Sequence, residues 1–302
     1  MTSTRKQFRK LLAEPRLTVI AGAYDALSAR IIEAEGYPAI VAGGYAAIGS
    51  LLAQADGGQF NMRDYADHYA RVVAAVEIPV YVDADTGFGG TSNVRQMVRA
   101  FETAGVAGFL LGDQTFPNRC GYMPGKQVVA PEQMIARIKA AVDARRDTDL
   151  VICARTDATS VEGLDRAIER CHLYLEAGAD LAKPMGADKL TDIERVIREV
   201  PCHHMSTQSQ AAGAHAVTFA ELERVGVAAV TLPSIALFAA AQGVRDALRT
   251  VRRDNSLAGV GDHLIPLTDY YDLVGLKAQL EREERYDQAA AALVAAKKIT
   301  RV

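Results

Sequence analysis

The 302 residues are 49% hydrophobic and 24% charged, a globular composition that excludes disorder and provides apolar material for a sizeable core. The formal net charge is -3 and no run of Lys or Arg exceeds two residues, so there is no basic field for nucleic-acid phosphates. The start, MTSTRKQFRKLLAEPR, lacks an uninterrupted apolar core, and no stretch of about 18 apolar residues occurs; the chain is expected to be cytoplasmic, with neither membrane nor nucleic acid as a partner.

In chain order, short apolar runs of strand character recur: LTVIAG, AIVAGG, VYVDAD, GFLLGD, LVICAR, DLAKPM, PCHHMS and AAVTLP. Between them lie NVRQMVRAFETAG, PEQMIARIKAAVDAR and DKLTDIERVIREV, apolar at i, i+3 and i+4 and long enough for crossover helices. Several units end alike, in EAEGYPA, ETAGVAG, EAGAD and ERVGVAA, where glycine acts as a helix stop before the next strand. Eight strand–helix alternations predict a (β/α)8 TIM barrel over residues 1–302 as a single domain. A doubly wound sheet is disfavoured because TVIAGAYDALSAR has no G-x-G-x-x-G after the first strand. After about residue 234 the text turns helical, then loop-like, then helical again, so 235–302 reads as a C-terminal helical extension suited to packing across a neighbouring subunit.

Catalytic groups of a parallel barrel sit at the carboxyl ends of its strands. Asp83 and Asp85 close the third strand, and period-two geometry points them the same way, which favours a hard divalent cation such as Mg²⁺ between them. The competing reading makes one a helix cap and the other a turn with Gly87, Gly89 and Gly90. Asp56, in AQADGGQF, is a further acidic partner or a plain Asp-Gly turn. Arg155 closes the fifth strand, where its guanidinium meets either an anionic substrate or a barrel Asp.

The fourth strand leads into GDQTFPNRCGYMPGKQVV, a Gly- and Pro-rich loop of lid composition that carries Arg119, Cys120, Tyr122 and Lys126. A cysteine between Arg and Gly on such a loop suits proton transfer or nucleophilic attack, with an idle loop thiol as the alternative. Cys153, in DLVICA, reads as a small core hydrophobe, and the absence of C-x-x-C leaves all four cysteines as thiols. His203 and His204 fall at the expected end of the seventh strand, where at most one can face the site.

Taken together, AGAYDALSARIIEAEGYPAI, VDADTGFG, DQxxPxRCG and ARTDA resemble the isocitrate lyase and phosphoenolpyruvate mutase superfamily, nearest its methylisocitrate lyase, dimethylmalate lyase and carboxyphosphonoenolpyruvate phosphonomutase branches. The resemblance runs from about residue 5 to 280. It implies a barrel whose C-terminal helices are exchanged between subunits of a homotetramer. It implies Mg²⁺, with Mn²⁺ as the alternative, held by Asp83 and Asp85 and reached by Asp56 through water. It further implies a small 2-hydroxy- or 2-oxo-carboxylate substrate, 2-alkylmalate- or methylisocitrate-like, cleaved through an enolate. Arg155 matches the substrate-carboxylate arginine and Cys120 the general acid/base thiol, with Arg119, Gly121 and Tyr122 beside it on the gating loop.

The sequence departs from that pattern where specificity resides. K-[KR]-C-G-H is Asn118-Arg119-Cys120-Gly121-Tyr122, and Glu-Asp-Gln is Gly112-Asp113-Gln114. The sixth-strand Glu is replaced near Met185, Asn-Met-x-Glu is replaced by His204-Met205-Ser206-Thr207-Gln208, and Ser-Gly-Gly is Gly43-Gly44-Tyr45. Lys183 introduces positive charge where two glutamates are missing, so Gly43, Gly44, Tyr45, Lys183 and His204 are the expected substrate contacts. Decarboxylation of a 2-oxo acid, P–C bond mutase or hydrolase chemistry, and a non-catalytic ligand-binding barrel are the competing functions.

Overall fold

The computed structural model describes residues 3–121, 123–209 and 217–296. Eight parallel strands form one sheet: β1 (Thr18–Gly22), β2 (Ile40–Ala42), β3 (Val80–Asp83), β4 (Gly108–Gly112), β5 (Val151–Thr156), β6 (Leu181–Pro184), β7 (Met205–Thr207) and β8 (Ala229–Leu232). Their ladder order is β6-β5-β4-β3-β2-β1-β8-β7. A hydrogen bond from Lys183 Nζ on β6 to Thr207 Oγ1 on β7 joins the two ends of that order, so the sheet is a nearly closed barrel.

The first helix, α1 (Thr4–Ala13), precedes β1, and α2 (Ala26–Ala34), α3 (Gly44–Leu52) and α4 (Met62–Ala74) connect β1 through β3. Next come α5 (Thr91–Ala104), α6 (Pro131–Ala144), α7 (Ala158–Val161), α8 (Leu164–Glu176), α9 (Leu190–Glu199) and α10 (Phe219–Arg224). After β8 follow α11 (Ile235–Asp254), α12 (Leu267–Leu273) and α13 (Leu276–Ala296). The local logic is visible in α5, which buries Val94, Met97, Val98 and Phe101 on one face and stops at Gly105 with a φ of 84°. Gly36, Gly178 and Gly226, the other helix stops expected from sequence, also have positive φ.

One strand differs from expectation. The sequence favours PCHHMS for the seventh strand, but β7 begins only at Met205. Pro201 has no N–H to give a ladder, and the Cys202 N–H turns back onto the Val200 carbonyl at 2.9 Å, so the chain is still bending there. His204 therefore stands before the strand rather than at its carboxyl end.

Side chains alternate across the barrel wall. Ile20, Val41, Tyr81, Val151, Cys153, Leu181, Met205 and Ala229 fill the interior, and Phe8, Leu11 and Leu12 of α1 plug it from the amino-terminal end. Phe8 stacks on Tyr81 with ring centroids 5.5 Å apart. Arg5 fastens α1 through Nη2 to the Glu102 carbonyl at 2.6 Å and through an ion pair with Asp147 at 2.8 Å. The opposite strand faces, with Ile40, Val82, Phe109 and Ile152, pack under the helices in a second apolar layer.

The chain divides into two compact units, Met1–Ala240 and Ala241–Val302, with the division inside α11. In the second unit Thr250 and Val260 are buried, while α12 and α13 contain no buried residue. Among the described residues no helix is long and apolar enough to cross a membrane. Because Phe8 is fully buried in the plug, Phe8→Ala is expected to destabilise the chain by about 3–5 kcal/mol, measured as a shift of the denaturant midpoint with unchanged slope.

Candidate active site

Two adjoining cavities open at the carboxyl ends of the strands. The smaller, about 30 Å³, lies between Asp56, Asp83, Asp85, Asn118, Cys120 and Arg155. The larger, about 110 Å³, shares Asp56, Asp83, Cys120 and Arg155 and extends to Gly43, Gly44, Tyr45, Gly121, Lys183, Thr207 and Thr231. Of the thirteen side chains expected from sequence, eleven line these cavities, Arg119 among them. Tyr122 lies outside the described residues. His204 lines neither: it is buried at the entry to β7, its carbonyl bonded to the Ala228 N–H at 2.9 Å and its Nδ1 without a partner. Burial and the nearby Lys183 charge push its imidazole down to about 4, the behaviour of a neutral structural histidine.

Asp83 and Asp85 reach their common cavity by a different route from the one strand periodicity predicts. β3 ends at Asp83, and Asp85 sits in the following turn at a φ of 45°. Asp83 Oδ1 accepts the Asp85 N–H at 3.0 Å, so the first carboxylate shapes the turn that presents the second. Neither caps α5, whose N-cap is Gly90. Gly112 on β4 faces the same turn, and a Cβ there would stand 3.1 Å from the Asp85 carbonyl.

Electrostatics mark this corner as unbalanced. Burial and the charges of Asp83 and Asp56 push Asp85 up to about 8, opposed by the Asn118 amide, which donates to Asp85 Oδ1 at 2.9 Å. Burial likewise raises Asp83, with Arg155 pulling against it, and burial raises Asp56. A hard divalent ion beside Asp83 and Asp85 would stabilise the ionised forms of all three acids. Among the described residues no three His, Cys, Asp or Glu side chains converge as a complete ligand set; Mg²⁺ suits such a site because it binds through one or two carboxylates and keeps several waters.

Arg155 has the barrel Asp that sequence left as one of its options. Its Nε and Nη2 donate to the two oxygens of Asp157 at 2.8 and 3.0 Å, a bidentate pair that leaves Nη1 outside it. Asp157 is fully buried and also pairs with Lys126 Nζ at 3.0 Å. Lys126 in turn donates to the Gly121 carbonyl at 2.5 Å, which fastens the Cys-bearing loop to the end of β5. The other side of the loop is held by Gln114, whose amide exchanges hydrogen bonds with the Arg119 N–H and carbonyl at 3.0 and 2.9 Å. The Arg119 guanidinium is spent within the loop on the Pro124 carbonyl at 3.1 Å.

Gly121 has no room for a side chain, since a Cβ would stand 2.6 Å from Arg155 Nη2 and 2.9 Å from Met185. Gly44 opens α3 where a Cβ would collide with the Tyr65 hydroxyl, and its N–H helps hold Asp83. Sequence reasoning passed over Asp157, Thr207 and Thr231. Asp157 was signalled by its place two residues after Arg155, and the threonines by their inward register on β7 and β8.

The chain matches the model of the phosphoenolpyruvate phosphomutase family over residues 8–252. It is 35% identical over 284 residues to 2,3-dimethylmalate lyase of Eubacterium barkeri, covering 94% of this chain and 98% of the relative. Its fold superposes on oxaloacetate acetylhydrolase in complex with 3,3-difluorooxalacetate with a TM-score of 0.88 at 28% identity, covering 94% of this chain and 97% of that one. A phosphonopyruvate hydrolase in complex with oxalate and Mg²⁺ aligns with a TM-score of 0.84 at 27% identity over 94% of this chain and 99% of that one. The chain belongs to the phosphoenolpyruvate phosphomutase family, within the isocitrate lyase and phosphoenolpyruvate mutase superfamily. It is an enzyme of the carbon–carbon lyase type.

The raised Asp85 gives a sign to pH dependence. Between its ordinary 3.8 and about 8, the folded metal-free chain binds a proton that the unfolded chain has lost, so stability falls as pH rises through that window. His204 and His68, lowered by burial, act oppositely but only below their ordinary 6.5. Metal-free protein is therefore expected to lose melting temperature between about pH 6.5 and 8 by calorimetry, and Asp85→Asn to flatten that slope.

Proposed function

We propose that the chain is a Mg²⁺-dependent carbon–carbon lyase that cleaves a small 2-hydroxy-carboxylate, 2-alkylmalate- or methylisocitrate-like, between C2 and C3. The observation that carries this reading is one shared wall: Cys120, Arg155, Asp56 and Asp83 border both cavities. An acid-held metal head and a proton carrier then face the same bound carbon skeleton. Asp83 and Asp85 would hold the ion, with Asp56 reaching it through water. When bound, the ion supplies positive charge to the carboxylate and oxygen of the substrate head.

The chain's own groups have separate duties. Arg155, oriented by Asp157, binds the head carboxylate and concentrates positive charge beside the reacting carbons. The 2-hydroxyl loses its proton as the C2–C3 electron pair passes to C3, and the oxygen becomes the carbonyl of a 2-oxo acid. The hydroxyl proton passes to water at the cavity mouth, Cys120 delivers its thiol proton to C3, and the thiolate takes a proton back from water as the products leave, so protons balance over the turnover. Gly121, tied down by Lys126, keeps the thiol loop over the cavity and excludes water.

Cys120→Ser replaces a thiol of ordinary pKa about 8.5 with a far weaker acid of similar size, so turnover should fall by roughly 10²- to 10⁴-fold. Mg²⁺ and oxalate binding should persist in the same variant. The assay screens 2-alkylmalates, methylisocitrate and oxaloacetate with both proteins, and a substrate turned over equally by both would move the reaction to decarboxylation or P–C chemistry. Double replacement of Asp83 and Asp85 by Ala should abolish Mg²⁺-dependent oxalate binding with the fold retained; unchanged metal affinity by calorimetry would refute the metal assignment.

Assembly as a homotetramer with exchanged C-terminal helices is part of the proposal. In the second unit Leu248, Leu257, Leu264, Leu267 and Tyr286 are exposed, apolar side chains that another copy would cover. Light scattering should return four times the 32.4 kDa chain mass.

A further inference from the structure

Strand register sets the upper layer of the barrel interior. Arg155 pairs with Lys183 across β5 and β6, and Thr207 with Thr231 across β7 and β8. These four continue, two residues on, the inward series of Cys153, Leu181, Met205 and Ala229. They form an arc over four strands in which Lys183 Nζ donates to Thr207 Oγ1, itself 2.8 Å from Thr231 Oγ1.

The two cations of the arc differ in their partners. Arg155 is matched by both oxygens of Asp157. Lys183 is 6% exposed, its bonded acceptor is a neutral hydroxyl, and among the described residues no carboxylate forms an ion pair with it, Asp188 and Asp83 attracting it only from farther off. An ammonium in that condition is costly to bury unless an anion completes its surroundings. The space that could supply one is on the page: the larger cavity runs from the acid corner to Lys183 past an apolar wall of Val41, Tyr81, Leu110 and Met185.

We propose that Lys183, with the Thr207 and Thr231 hydroxyls, is a subsite for a second anionic group of the substrate, a carboxylate or phosphonate carried on a short apolar spacer from the head. The inference rests on the head site proposed above. It assigns the far acid of such a substrate to Lys183, Thr207 and Thr231 and its spacer to the apolar wall between. For a dicarboxylate broken between C2 and C3, this second carboxylate is conjugated with C3 and takes up the charge left there, so Lys183 stabilises the departing acid as well as binding it.

Calorimetry with Mg²⁺ tests the subsite using oxalate as the head alone, 2-hydroxybutyrate as a neutral tail, and malate and 3-phosphonolactate as charged tails. Malate or 3-phosphonolactate should bind the wild type about 30-fold or more tightly than 2-hydroxybutyrate, and the tighter of the two identifies the acid. Lys183→Met should reduce that preference to about 3-fold or less while oxalate affinity changes by less than about 3-fold, and Lys183→Arg should restore part of it. Thr207→Val, which removes only a hydroxyl, gives a second variant with an expected loss of about 3- to 10-fold for the charged tail. A wild-type preference near unity, or one that survives both Lys183→Met and Thr207→Val, overturns the subsite. Failure of oxalate to bind the wild type overturns the head reading instead, and the ratio of charged to neutral tail still decides the subsite. Borohydride trapping of oxaloacetate on Lys183 would overturn it too, by making the amine a nucleophile rather than an anchor.

Discussion

The Asp157 carboxylate, wholly buried, ties the end of β5 to the Cys-bearing loop. It takes Arg155 through two hydrogen bonds and Lys126 through a third. Its own N–H donates to Asp113 at 3.0 Å, and Asp113 is held in turn by the Tyr174 hydroxyl at 2.8 Å and the Arg170 guanidinium at 3.3 Å. Burying one carboxylate against two cations is favourable only when geometry satisfies all of them, because an uncompensated member would cost several kcal/mol. Here the two cations hold Asp157 below the ordinary carboxylate range despite its burial. Arg155 at the end of β5 and the Cys-bearing loop are thereby fixed against one another by a single charge.

On the other side of Arg155 the balance is reversed. Asp56, Asp83 and Asp85 crowd a pocket in which burial raises all three, and their charges reinforce the rise in Asp56 and Asp85. Arg155, paired with Asp157, and the Asn118 amide offset only part of that rise, so the remaining compensation comes from protons or from a cation. This makes the acid corner and the Asp157 node complementary: one is closed and structural, the other open and built to accept charge. The cavity between them is where a ligand carrying both an oxygen donor and a carboxylate finds matching partners.

The fold was legible because eight strands and their helices obey simple periods, and four helix-stopping glycines mark the unit boundaries. The acids and Arg155 were legible because polar residues that close apolar runs have few places to go in a barrel. Three features were not. The seventh strand is only three residues long, too short for alternation to fix its start, so His204 was drawn to the wrong end of it. The Asp83–Asp85 turn depends on one side-chain bond and a positive φ, which strand periodicity cannot express. Asp157, Thr207 and Thr231 needed three-dimensional neighbours, since an Asp after a strand and a Thr within one are ordinary residues until a cation is found beside them.

The altered loop and the altered wall are best understood together. The resemblance implies a lysine at position 118, and here Asn118 gives Asp85 an amide hydrogen bond in place of a full positive charge, leaving its Oδ1 buried without a partner. An amide lowers a neighbouring acid less than an ammonium does, which is consistent with Asp85 remaining at about 8. Positive charge absent at position 118 is present instead on β6, where Lys183 stands in register with Arg155. The acid corner, Arg155 and Cys120 thus border one cavity while a cation without an ion-paired carboxylate lies on the barrel wall. In the proposed reaction, a change of that kind would alter what the far end of a substrate must carry without disturbing the chemistry at C2 and C3.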